Sequence, residues 1–207
     1  YRSIIVNMSD IGTNPLTGTS PSILILSPFK TGTWAIRNAC MRAGFSVVRS
    51  HGTELPKDVK YIITVYRNWP SLCVSAFFQD NFRKEYPYYV GTKEEIAKMP
   101  CHKLFKVFAK QEWHKMSHVD YKHCWSILEK EYSIHLENKI PQVREENGYK
   151  VIALRMCDPK NSKRLSKFLG KRVGLRKEHY RTDPAYIRFK QRFMKRVRKV
   201  LRPHVKD

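Results

Sequence analysis

A glycine between two threonines, Thr31-Gly32-Thr33, sits inside Pro28-Phe-Lys-Thr-Gly-Thr-Trp34, directly after a short apolar run and directly before a helical pattern. At such a strand-to-helix junction successive backbone N–H groups can turn toward one anionic group, and Lys30 adds a full positive charge. The chemistry on offer is a cradle for phosphate or sulfate; a solvated turn with an exposed lysine carries the same pattern. The loop is not of the G-x-x-x-x-G-K-[ST] type, because that spacing is absent and the lysine precedes the glycine, so a nucleoside triphosphatase is disfavoured. A second candidate is His114 with His118, four apart, a spacing at which two imidazoles on one helix face can share a metal ion. Glu112 and Cys124 lie nearby in sequence, but no third ligand is evident, and a solvent-facing histidine pair is the better reading.

The elements that must position the loop follow from periodicity. Ser22-Ile-Leu-Ile-Leu-Ser27 reads as a buried strand, followed by a helix with Ile36, Ala39, Cys40 and Ala43 on one face and Gly44 as its stop. Phe45 to Val48 reads as a second strand and Tyr61 to Tyr66 as a stronger third, with Pro70 where a new helix begins. From Cys101 to Glu137 the pattern fits two helices, with Leu104 and Phe108 four apart and Trp125, Leu128 and Tyr132 at helical spacing. Lys150 to Leu154 reads as a fourth strand. Asp158 follows as N-cap, Pro159 as first helical residue, and Leu165, Phe168 and Leu169 share a face up to Gly170. Strands alternating with helices predict a single α/β domain over 22–207, with a central, largely parallel β-sheet flanked by helices and any ligand outside the carboxyl ends of the strands. Residues 1–21, rich in Ser, Thr, Gly, Asn and Pro, read as an irregular arm.

Composition narrows the partners. The 207 residues include 42% apolar and 12% aromatic side chains, enough for a folded core and inconsistent with wholesale disorder. Forty Lys and Arg against 18 Asp and Glu leave a formal charge of +22, which points to an anionic partner. Five widely spaced cysteines with no C-x-x-C pair indicate neither a disulfide framework nor a zinc ribbon. The longest apolar run, Ile23 to Leu26, falls far short of the roughly 20 residues a membrane span needs. These features fit a cytoplasmic protein; since the chain starts at Tyr1 and not at Met, a Golgi lumenal domain lacking its anchor is the alternative. The basic stretch Lys195 to Arg202 carries Phe193, Val197, Val200 and Leu201 on one side, so it reads as an amphipathic helix docked on the core with a basic exterior.

Against this frame Lys30-Thr-Gly-Thr-Trp34 resembles the K-S-G-T-T-W loop of the sulfotransferase family, one threonine shorter. A second family motif, R-N-x-x-D-x-x-V-S after a strand, resembles Arg67-Asn-Trp-Pro-Ser-Leu-Cys-Val-Ser75, with Arg and Ser at the same separation and Ser71 in place of Asp. Between them Arg49-Ser-His-Gly-Thr-Glu-Leu-Pro56 is similar to the T-H-L-P-like segment of cytosolic members. The family's R-K-G segment has a partial echo in Arg176-Lys177, followed by Glu178. The resemblance covers Ser22 to Phe78, and Lys150 to Gly170 more loosely.

It implies a sulfotransferase core related to P-loop folds, moving a sulfuryl group from 3′-phosphoadenosine 5′-phosphosulfate to a hydroxyl or amine, an anionic glycan among the candidate acceptors, without a metal. Lys30 and the amides of Thr31, Gly32 and Thr33 would neutralise charge on the departing phosphate. His51 would be the general base, with Glu54 the rival; an unperturbed imidazole titrates near a pKa of about 6.5. Trp34 would stack on adenine, Arg67 and Ser75 would hold the 3′-phosphate, and Arg176 and Lys177 would also bind the nucleotide. Two other classes stay open. A non-enzymatic protein binding RNA or acidic polymers needs the charge but neither Arg67 nor Ser75, which leaves nucleic acid the weaker partner. A nucleotide or sugar kinase requires magnesium and a conventional phosphate loop.

Overall fold

Strand β1 (Ile23–Leu26) has no exposed residue, and its four apolar side chains divide by alternation between two cores. Ile23 and Ile25 pack with helix α1 (Thr33–Arg42) and helix α6 (Asn161–Leu169), while Leu24 and Leu26 pack with helix α5 (Tyr121–Tyr132). A strand covered on both faces is the signature of a central parallel sheet, and here the sheet has five strands. The others are β2 (Val47–Ser50), β3 (Tyr61–Tyr66), β4 (Gln142–Glu146) and β5 (Tyr149–Arg155), in the order β2-β1-β3-β5-β4. The first four in that row run parallel and β4 is antiparallel to β5. The chain is described, in this computed structural model, over residues 22–28, 31–50, 55–56, 58–80, 91–110, 121–137, 140–176 and 191–197.

A third core lies beside the sheet. Helices α2 (Trp69–Asp80), α3 (Lys93–Lys98) and α4 (Cys101–Lys110) join a helical segment over 191–197, with Phe77, Phe78, Phe108 and Phe193 at its centre. Phe193 stacks on Phe77 at 5.5 Å and meets Phe78 edge-on at 5.2 Å. Phe193 and Val197 are buried and Arg192, Lys195 and Arg196 exposed, the amphipathic docking expected of the basic stretch. Its continuation through Val200 and Leu201 lies outside the described residues, as do the pair His114 and His118 and the arm over 1–21.

Four expectations need correction. The second strand starts at Val47, since its ladder with β1 begins at Ile23↔Val47; Phe45 instead donates its N–H to Cys40 O to close α1. The Lys150 strand is the fifth. β4, with alternating partly exposed polar residues, lacks the apolar run of a buried strand, though Asn147-Gly148 is the tight turn that pairs it with β5. Both turn residues have positive φ, 51° and 79°. Helix α6 starts three residues after Asp158, whose carboxylate accepts from Lys160 N at 2.9 Å and pairs with Arg164 at 2.6 Å. Those bonds hold the Asp158 carboxyl below its ordinary range, Arg164 foremost. Finally, α3 was not anticipated, although Thr92 and Glu95 form the reciprocal capping box that starts it.

All five cysteines are free, and burial pushes the thiols of Cys40 and Cys73 up to about 12, which makes them packing groups and not nucleophiles. No helix among the described residues is long and apolar enough to cross a membrane.

Candidate functional site

The order of strands locates the crevice. From β1 the chain passes through α1 to β2 on one side, then returns to β3 on the other, so the direction of winding reverses between β1 and β3. In an open parallel sheet the carboxyl ends on either side of such a point diverge and leave room for a ligand. The loop after β1 and Arg67 after β3 both leave from that edge.

Local bonds fix the two sides together. The β1–β3 register ends at Ile25↔Ile63, and beyond it the Ser27 hydroxyl accepts from Val65 N at 2.7 Å, tying the loop to the end of β3. Thr31 Oγ1 donates to Pro28 O at 2.8 Å and closes the turn. Gly32 then caps α1 in the left-handed region, φ 80° and ψ 22°. No side chain caps this helix start and its first turn holds no acidic residue, so the electropositive end of α1 faces the loop. Thr31 and Thr33 are buried, and the first-turn N–H groups supply the donors.

Gly32→Ala tests this turn. A Cβ there meets only the Met156 side chain, Cε at 3.5 Å and Cγ at 4.0 Å, both ordinary contacts, so the cost is that of the backbone conformation. A loss of about 1–2 kcal/mol in unfolding free energy is expected in urea. An unchanged midpoint would mean that residue 32 does not need the left-handed conformation.

Arg67 is half-buried at the end of β3, and burial lowers its pKa from the ordinary arginine value, the nearby Cys157 acting in the opposite sense. A guanidinium stays charged under these conditions, so partial loss of its hydration strengthens its attraction to anions. The end of β5 completes this edge. Met156 N donates to Tyr66 O at 2.7 Å, its side chain reaches Gly32, and Cys157 follows with φ 64°. Ser75 is buried on α2, two turns beyond Arg67.

Trp34 is 41% exposed, as a stacking surface requires, but it already carries cations: Arg49 Cζ lies 4.2 Å and Arg37 Cζ 5.3 Å from its ring centroid. An adenine ring would share or displace that guanidinium. Arg49 is thus a further cation at this edge, contributed by β2, which the sequence did not single out. Ser27 and Met156 were missed as well; a serine after a strand and a methionine after another carry no signal of their own.

Arg176 is not brought to the loop. It is exposed and lies with Ala39, Arg42 and Ala43 on the last turn of α1. Ala39 is seven residues past Gly32, about 10 Å along the helix at 1.5 Å per residue. Lys30, His51, Glu54 and Lys177 lie outside the described residues. The flanks of the His51 segment are placed: Ser50 ends β2, beside β1, and Pro56 O accepts from Tyr132 Oη at 2.9 Å. Among the described residues no group of three or more His, Cys, Asp or Glu comes together to hold a metal.

Compared with protein-family models, curated proteins and solved structures, the chain matches none.

Proposed function

We propose that the protein is a sulfotransferase that moves a sulfuryl group from 3′-phosphoadenosine 5′-phosphosulfate to a hydroxyl or amine. The observation that carries this reading is the joining of the Thr31-Gly32-Thr33 turn and Arg67 at one switch point, through the Ser27–Val65 bond. A donor with phosphate on both sides of its ribose needs two anion sites set apart at one strand edge, which a single phosphate loop does not provide.

In the reaction the acceptor oxygen or nitrogen attacks sulfur, the S–O bond to the 5′-phosphate breaks, and its electron pair leaves with adenosine 3′,5′-bisphosphate. Lys30 and the α1 amides stabilise that leaving charge. His51 takes the acceptor's proton, Glu54 being the carboxylate in the same segment able to replace it. Arg67 grips the 3′-phosphate through its fork, with the Ser75 hydroxyl as a second donor. The positive surface favours anionic acceptors, an acidic glycan among them.

Thermal unfolding tests the nucleotide. A ligand that binds only the folded state at one hundred times its Kd adds about 2.7 kcal/mol of stability. Adenosine 3′,5′-bisphosphate is expected to raise the midpoint well above adenosine 5′-monophosphate at equal concentration. Equal shifts would remove the 3′-phosphate site and the proposal with it.

A further inference from the structure

We infer a second anion site, separate from the nucleotide crevice, in which Arg42, Arg172 and Arg176 receive a sulfate or phosphate monoester. It does not depend on the sulfotransferase reading.

The site begins in the sequence Arg172-Val-Gly-Leu-Arg176, an extended stretch in which side chains alternate in direction. Val173 is buried and Leu175 partly buried against the core shared by α1 and α6, which turns Arg172, Gly174 and Arg176 to the other side. Two serines of α6 hold the stretch in place. Ser166 Oγ accepts from Val173 N at 2.9 Å and Ser162 Oγ from Leu175 N at 3.0 Å. From α1, Arg42 Nη2 reaches Gly174 O at 3.4 Å. The small side chains of Ala39 and Ala43, one turn apart on α1, leave a cavity of about 240 Å³ between helix and strap.

Three of the six residues lining that cavity are arginines and none of the described ones is acidic. Lys171 adds a fourth cation next to it in sequence. One cation is enough to complement the partial negative charge, about half an elementary charge, at the end of α1. Arg172 and Arg176 therefore exceed what the helix end calls for. Guanidinium forks match the paired oxygens of sulfate and phosphate. The volume lies below the range of about 300–1,000 Å³ typical of whole-ligand pockets, so it suits one charged group with part of the sugar or other body bearing it.

The test is calorimetric titration of the full chain with glucose 6-sulfate, glucose 6-phosphate, inorganic sulfate and adenosine 5′-monophosphate, at constant ionic strength in chloride. At least one monoester is expected to bind, and Arg172→Glu and Arg176→Glu each to weaken it tenfold or more. Their rank shows whether sulfate or phosphate, and a sugar or a nucleoside, is the source. Gly174→Asp is an independent probe: no atom lies within 4 Å of a Cβ there, so it puts a carboxylate in the cavity while keeping the backbone bonds. It too should lose binding tenfold, with an unchanged melting midpoint. Gly32→Asp, which puts a carboxylate in the turn before α1, should bind the monoester as the native chain does; if it alone loses binding, the site is the nucleotide crevice and the inference is overturned. Lys163→Glu, an exposed reversal on α6, should leave affinity within twofold. Absence of binding to all four probes, or equal weakening by Lys163→Glu and the arginine variants, would also overturn it.

Discussion

Arg67→Ala is expected to weaken adenosine 3′,5′-bisphosphate by about two orders of magnitude while leaving adenosine 5′-monophosphate nearly untouched. Truncating one partner of a desolvated charge pair costs about 2–5 kcal/mol, and the half-buried position of Arg67 would put the proposed 3′-phosphate contact in that class. The two nucleotides differ in one phosphate, so the double comparison isolates the group that Arg67 is proposed to hold. Arg67→Lys should recover only part of the loss, because an ammonium keeps the charge without the two-pronged geometry. Titration calorimetry on the three proteins, with melting midpoints as a check on folding, decides the matter. If the alanine variant still prefers the bisphosphate by the native ratio, the 3′-phosphate lies elsewhere, and the two-sided grip on which the proposed donor rests fails.

The parts of this edge that could be read in advance share a physical cause. Ile23–Leu26 and Tyr61–Tyr66 are buried on both faces, so their apolar runs are dictated by the sheet alone and stand out against turn residues. Gly32 was legible because a left-handed helix start selects for glycine. What stayed hidden depends on tertiary neighbours. Ser27 matters because the strand beside it offers Val65 N, and Arg49 because β2 pairs with β1 in the register that sets its guanidinium over Trp34. β4 was invisible for the opposite reason to β1: an edge strand with Val143 at 63% exposure has no apolar face to announce it. Arg176 echoes a nucleotide-binding segment in sequence, while its place depends on tertiary neighbours: the burial of Val173 and Leu175 sets the strap beside the last turn of α1.

His51→Ala should reduce turnover by about 10²–10⁴-fold, the span of general-base catalysis, and spare bisphosphate affinity. The segment that carries both candidates, His51 and Glu54, has placed flanks. It starts from Ser50 at the carboxyl end of β2, next to the strand that bears the anion loop, and is fastened on the other side where Tyr132 donates to Pro56 O. A base must be unprotonated to accept the acceptor's proton, so native turnover should rise with pH through the imidazole range, about 6.5 for an unperturbed ring, and then level off. The residual rate of His51→Ala should lack that rise. Were Glu54 the base, the rise would centre near the carboxylate value of about 4.3 and Glu54→Gln, not His51→Ala, would suppress turnover. Steady-state rates for the two variants across pH 4 to 9 therefore separate the candidates by two independent readouts, amplitude and midpoint. Full activity in both would leave proton removal to the solvent, which an acceptor as acidic as a phenol tolerates and an aliphatic hydroxyl does not.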